Sequence, residues 1–192
     1  MVQKRTYPGT LVLVVGSSGV GKDSLLAGAR NQLTGHASFS FPKRLVTRKP
    51  VSDLEDHDTV TFDEYLGLVS KGSAALSWQA HGLGYIIPKT IENDLEVGKV
   101  VACNVSRTII ADAANKYPVH VVNIVAELEL RAKRLANRGR ENEDSIRRRL
   151  AREPIALPTD IPTTEISNNG EMRVGIKALV DLLVSLQTQN QE

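Results

Sequence analysis

The sequence predicts an α/β domain with a parallel sheet, on three observations. Short β-rich runs alternate with amphipathic stretches along most of the 192 residues. The first run turns through a glycine-rich segment directly into a helical pattern. A hydrophobic content of 41% in a chain of this length is enough to bury one core, so one domain over 1–192 is expected.

The elements follow in order. β-rich runs predict strands over 10–15, 100–105, 119–125 and 164–167. Helical spacing fills 22–33, 107–116, 127–137, 143–152 and 172–186. Pro118 closes the second of these helices and Gly139 the third, while Asn169-Gly170 turns the chain into the last. The middle, 45–88, reads differently: β-like pieces TVTF and AALSWQAHGLGYII surround one short helix candidate over 63–71. No Pro/Gly/Ser linker flanks this segment, so it is expected as an insertion on the α/β body. The tail QTQNQE is expected to fray.

Charge and cysteine content narrow the function classes. The 24 basic and 22 acidic residues nearly cancel, which argues against a general nucleic-acid or membrane-surface binder. A single cysteine, Cys103, excludes an internal disulfide framework and a cysteine-based zinc cluster. The five apolar residues before Gly16 are too few for a signal segment or a bilayer span, and a cytoplasmic protein is expected.

The stretch LVLVVGSSGVGKDSLLAGA carries the chemistry. Phosphate is a multiply charged oxyanion, and a strand turning through glycines into a helix surrounds it with backbone N–H groups at the positive end of the helix dipole. Gly16, Gly19 and Gly21 supply the backbone freedom and leave no Cβ to obstruct the anion. Ser17, Ser18 and Val20 complete the turn, and Lys22 adds a point charge for the outer phosphates of a nucleotide. The hydroxyl residue expected directly after the lysine is replaced by Asp23, with the hydroxyl displaced to Ser24. Either Ser24 or Asp23 is then expected to serve Mg2+ beside ATP.

The loop identifies a phosphoryl donor; the acceptor is read from arginines. Between 131 and 153 nine basic residues stand against four acidic ones. Some are explained as solvated helix pairs, Glu143 with Arg147 and Asp144 with Arg148. Arg138 and Arg140 flank Gly139 at a helix break, where a lid over a phosphate chain is expected. No catalytic loop of the HRD type is present. That suits an acceptor that is itself a phosphate, since an anionic oxygen needs cationic charge rather than a general base.

The segments GSSGVGKDS, TRKPVSDLEDH, LSWQAHGLGY and RLANRGRENEDSIRRRLA occur in the order seen in guanylate kinases, and the resemblance covers nearly the whole chain. The chain more closely resembles the guanylate-kinase-like family of ribose 1,5-bisphosphate phosphokinases of bacterial phosphonate breakdown, through GKDS, TR followed by Glu55 and His57, ALSW and NRGRE. The resemblance implies a P-loop NTPase fold: a guanylate-kinase-like parallel sheet with flanking helices, a small β-rich acceptor-binding insertion over 45–88 and an arginine-rich lid over 138–153. It implies ATP-dependent phosphorylation of ribose 1,5-bisphosphate to phosphoribosyl pyrophosphate.

Departures from guanylate kinase favour the sugar acceptor over GMP. The second arginine after TR stands as Val51, and the acidic pattern of the central strand becomes Ala102-Cys103-Asn104-Val105-Ser106-Arg107. Two carboxylates are lost and a cation gained, which suits more phosphate and no purine. By resemblance, residues 16–24 hold the ATP phosphates. Arg48, Glu55, His57, Tyr85, Asn104 and Arg107 border the acceptor, a phosphorylated sugar. Arg138 and Arg149 join Lys22 in stabilising the transferred phosphoryl. Asn168 or Asn169 borders the adenine, or simply forms an Asn-Asn-Gly turn. Guanylate kinase activity and a non-catalytic binding module are the alternatives.

Overall fold

The computed structural model describes residues 6–49, 57–137, 147, 150–151 and 155–190. Its centre is a five-stranded parallel sheet. β1 (Thr10–Val15) lies between β7 (Val100–Asn104) and β8 (Val119–Val125), with β2 (Phe39–Ser40) and β9 (Thr163–Ser167) at the edges.

Period-two alternation explains why β1 is apolar from Leu11 onward. Leu11, Leu13 and Val15 face one layer, which holds Ile110 and Ala113 of α4 (Ile110–Lys116). Val12 and Val14 face the other, against Leu25 and Ala29 of α1 (Lys22–Gln32) and Leu179 and Leu183 of α6 (Met172–Gln189). A strand covered on both faces has no solvent side to mark with polar residues. α5 (Leu128–Asn137) follows β8 and returns the chain over the loop that precedes α1.

A second, four-stranded sheet is built from residues 44–88 in the order β4-β3-β6-β5. β5 (Ala74–Ala80) and β6 (Leu83–Pro88) form a hairpin across a His81-Gly82 turn, where His81 itself has φ of 55°. β3 (Arg44–Val46) pairs antiparallel with β6 and parallel with β4 (His57–Thr59). Leu76, Trp78 and Ile87 of this sheet pack into the same apolar layer as Leu11 and Leu13, which sets it against the β1 face carrying α4.

The predicted strands and helices that fall within the described residues are present within one to three residues at their ends, with instructive differences. The 107–116 helix begins as a 3-10 turn, Arg107–Ile109, because the Ser106 hydroxyl accepts the Thr108 N–H before α4 starts. The strand sought in TVTF stops at Thr59. Thr61 instead caps α2 (Phe62–Ser70), its hydroxyl accepting from Glu64 N while the Glu64 carboxylate accepts from Thr61 N. β2, β3 and the six-residue α3 (Ile91–Glu96) had no counterpart in the sequence reading. The helix expected over 143–152 falls largely outside the described residues; Arg147 and Leu150 are helical. No helix among the described residues is long and apolar enough to cross a membrane.

Candidate active site

Between β1 and α1 the chain makes the loop the sequence predicted, with Gly16, Gly19 and Gly21 at φ of 149°, 85° and 97°. α1 begins at Gly21 without a side-chain cap, whereas α2 has a complete capping box. The first-turn N–H groups of α1 are thus left for an anion rather than claimed by a neighbouring hydroxyl.

What shapes the loop is a set of cations and one amide bound to its carbonyls. Lys22 Nζ donates to Gly16 O at 2.6 Å and Ser17 O at 3.4 Å. Arg131 Nε donates to Ser18 O at 3.0 Å. Asn168 Nδ2 donates to Val20 O at 2.7 Å, joined by Arg134 Nη1 at 3.4 Å, while Arg134 Nη2 donates to Asn168 O at 2.9 Å. A trans peptide points its N–H opposite its C=O. Holding the Ser18 and Val20 carbonyls toward α5 and Asn168 therefore turns the N–H groups of Gly19 and Gly21 the other way.

The glycines have a further reason beyond anion approach. A Cβ on Gly19 would lie 2.8 Å from the Arg131 carbonyl oxygen, and one on Gly21 would lie 2.5 Å from Asn168 Nδ2. The missing side chains thus let the loop press onto the groups that hold it. Arg131 and Arg134 sat unremarked within the basic stretch of the sequence. Of the two asparagines, Asn168 is buried on the loop, and Asn169 Oδ1 accepts the Glu127 N–H at 2.8 Å.

On the other side of α1, Asp23 is engaged by protein. Its Oδ1 accepts from Asn104 Nδ2 at 2.7 Å and pairs with Arg44 Nη2 at 3.3 Å. Asn104 is buried at the end of β7, and Arg44 opens β3. Beside them lies a partly open cleft lined also by Arg30, Phe41 and Ala102. Cys103 lines it, and burial pushes its thiol up to about 12. Arg44 was missed because one arginine in a three-residue strand carries no sequence signal.

The remaining expected residues are spread along the second sheet and the strand edge. Arg48 lies two residues past β3, its carbonyl held by His57 Nε2 at 3.0 Å and Thr59 Oγ1 at 3.3 Å. His57 is buried, so its ring braces the Arg48 backbone. Tyr85 is half-buried and stacks on Trp78 with centroids 5.1 Å apart and planes 5° from parallel. Arg107 stands just beyond the C-terminal end of β7. Its guanidinium donates to Asn123 Oδ1 at 2.8 Å and to Ile155 O at 3.0 Å, and burial lowers its pKa. Glu55, Arg138 and Arg149 lie outside the described residues, as does Val51. Ser24 sits in the first turn of α1, half-buried.

The chain is similar to curated proteins over most of its length. It is 40% identical over 174 residues to ribose 1,5-bisphosphate phosphokinase PhnN of Agrobacterium fabrum, a match covering 90% of this chain and 95% of that one. To the PhnN of Acidiphilium cryptum it is 47% identical over 153 residues, 79% of this chain and 81% of the other. Among solved structures, guanylate kinase from Anaplasma phagocytophilum aligns with a TM-score of 0.60 at 14% identity, covering 95% and 88% of the two chains. A gluconokinase from Sinorhizobium meliloti aligns at 0.52 and 16% identity, covering 96% and 97%. These structural likenesses carry the fold, a guanylate-kinase-like parallel sheet with flanking helices. No family model matches the chain. By its curated relatives, the chain belongs to the ribose 1,5-bisphosphate phosphokinase family.

Proposed function

We propose that the chain transfers the γ-phosphoryl group of ATP to the anomeric phosphate of ribose 1,5-bisphosphate, giving 5-phosphoribosyl 1-pyrophosphate and ADP. Family membership supports the acceptor, and one structural observation supports the donor: carbonyls of the Gly16–Ser24 loop are bound from behind by Arg131, Arg134 and Asn168. A preorganised ring of amides costs no reorganisation when a polyphosphate enters.

In this reading an anionic oxygen of the C1 phosphate attacks the γ-phosphorus, the bond to the ADP oxygen breaks, and a phosphoanhydride forms. No proton has to be removed from the attacking oxygen, so the protein's work is positioning and charge neutralisation. Lys22 spans the β and γ phosphates. Arg48 grips an acceptor phosphate, presented by the His57 and Thr59 brace. Tyr85 and Asn104 border the acceptor cleft, and Arg107 stands at the sheet edge where open α/β sheets take ligands. Arg138 and Arg149, with Glu55 on the acceptor side, complete the set from outside the described residues.

Among the described residues no three His, Cys, Asp or Glu side chains cluster. Beside a nucleotide, Mg2+ is ordinarily held by phosphate oxygens, waters and one or two protein groups. Such a group would be Ser24, or the second carboxylate oxygen of Asp23, whose Oδ1 is shared by Arg44 and Asn104. Bound there, the ion would supply neutralisation of the β and γ phosphate charge.

The test is an acceptor panel. With ATP and Mg2+, ADP release should follow addition of ribose 1,5-bisphosphate and be much slower with GMP. Turnover of GMP alone would make the chain a guanylate kinase. Tight ATP binding with no acceptor turned over would make it a binding module.

A further inference from the structure

Asp23 presents a problem that the proposed reaction does not by itself solve. A carboxylate directly after Lys22, in the first turn of α1, lies beside a cradle shaped for anions, where it repels the ligand it flanks. The structure shows what it holds: Arg44 from the second sheet and Asn104 from the end of β7, both on the single oxygen Oδ1.

Neither partner of the ion pair is sealed away. The Arg44 side chain is 14% exposed and that of Asp23 28% exposed. Arg44 has five N–H donors, and its contact among the described residues is the one to Asp23 through Nη2. The guanidinium lies beside Cys103 and reaches the cleft with a small exposed fraction. The pair lines a partly open cleft together with Arg30 and Asn104, so an anion entering that cleft meets it. Arg44 also sits on the strand that leads to Arg48, which places a second guanidinium on the acceptor sheet at the point where that sheet meets the helix starting at Lys22.

We propose that Arg44 is an acceptor-binding residue, contacting a phosphate of the sugar bisphosphate, and that Asp23 is the positioning residue that orients it. Asp23 thereby links the donor loop to the acceptor sheet, in place of the hydroxyl that would otherwise follow the lysine. An acceptor with two phosphates needs cationic donors at two points, and Arg44 supplies one that Arg48 alone does not. This inference rests on the proposed phosphoryl transfer to a sugar phosphate.

The experiment compares wild type with Arg44→Gln, Arg44→Lys and Asp23→Asn, with thermal melts reporting folding. KM for ribose 1,5-bisphosphate should rise about tenfold or more in Arg44→Gln and in Asp23→Asn, with KM for ATP in Arg44→Gln within twofold of wild type. Arg44→Lys should recover part of the loss, since it returns the charge without the fork. The double variant Asp23→Asn/Arg44→Gln should be little worse than Arg44→Gln, as expected when one residue acts through the other. Unchanged acceptor KM in Arg44→Gln, or a parallel rise in KM for ATP, overturns the inference. If Arg44→Gln does not fold, Arg44→Lys decides by the same two constants. Wild-type protein that fails to turn over ribose 1,5-bisphosphate overturns the functional reading instead, and is seen before any variant is made.

Discussion

The Asn168 side-chain amide donates to the Val20 carbonyl at 2.7 Å, joining two groups separated by 148 positions in the sequence. Asn168 is buried, at the exit of β9, and its own carbonyl accepts from Arg134. Replacing it by Ala leaves the Val20 carbonyl with the longer Arg134 contact alone, a loss of about 0.5–1.5 kcal/mol, the net worth of one hydrogen bond. The expected kinetic result is a raised KM for ATP with KM for the acceptor little changed. Steady-state kinetics in both substrates checks it, and a selective rise for the acceptor would contradict the clamp.

Gly21 tests the same contact from the loop side. An Ala there needs a left-handed backbone at φ of 97° and places a methyl 2.5 Å from Asn168 Nδ2. The amide cannot retreat without releasing Val20. Strain of this kind costs on the order of 1–3 kcal/mol, so Gly21→Ala should melt roughly 3–10 °C below wild type in a chain of this size. Calorimetry gives the answer.

Lys22→Ala removes the charge that now rests on Gly16 O and Ser17 O. Loss of one charge-assisted phosphate contact from a preorganised site should lower turnover by about a hundred- to a thousand-fold. A near-normal rate would mean that the loop is not catalytic.

His120 supplies a pH dependence. It lies in β8 with Nε2 2.9 Å from Thr164 Oγ1, and burial lowers its pKa from the ordinary 6.5. The unfolded chain then binds more protons than the folded one just below pH 6.5, so stability rises with pH there. The contribution is fully present above about pH 6.5 and is lost as pH falls toward the depressed folded value. Denaturation midpoints across that range should decline in wild type and flatten in His120→Gln. Parallel curves would assign the decline to other groups.

Cys103 is buried with its thiol pushed up to about 12. The thiolate is the reactive form, so a thiol reagent at pH 8 should leave the native protein unmodified and label one site on unfolding. Fast native labelling would show that the cleft beside Asp23 opens as far as the thiol.

Much of this was readable beforehand for identifiable reasons. The run ending at Val15, the glycines and the helical spacing after Lys22 are local patterns, and they place the strand, the glycine-rich loop and the helix without reference to the rest of the chain. β2, β3 and β4 are two or three residues long and show no period; their neighbours make them strands, through the pairing of Phe39 with Val100 and of Leu45 with Ile86. Thr61 misled because its β-like surroundings hid a capping box that depends on Glu64. Arg44 and Asn168 act through partners 21 and 148 positions away, a relation that no local spacing carries. His57, expected at the substrate, is buried with its ring nitrogen on the Arg48 carbonyl, a contact that no sequence spacing announces.

The most direct measurement is phosphorus NMR of the product formed from ATP and ribose 1,5-bisphosphate. The account predicts a new pair of coupled pyrophosphate resonances on the sugar, appearing in step with ADP while the 5-phosphate signal persists. ADP accompanied only by inorganic phosphate, or phosphorylation at any sugar position other than the anomeric phosphate, would contradict it.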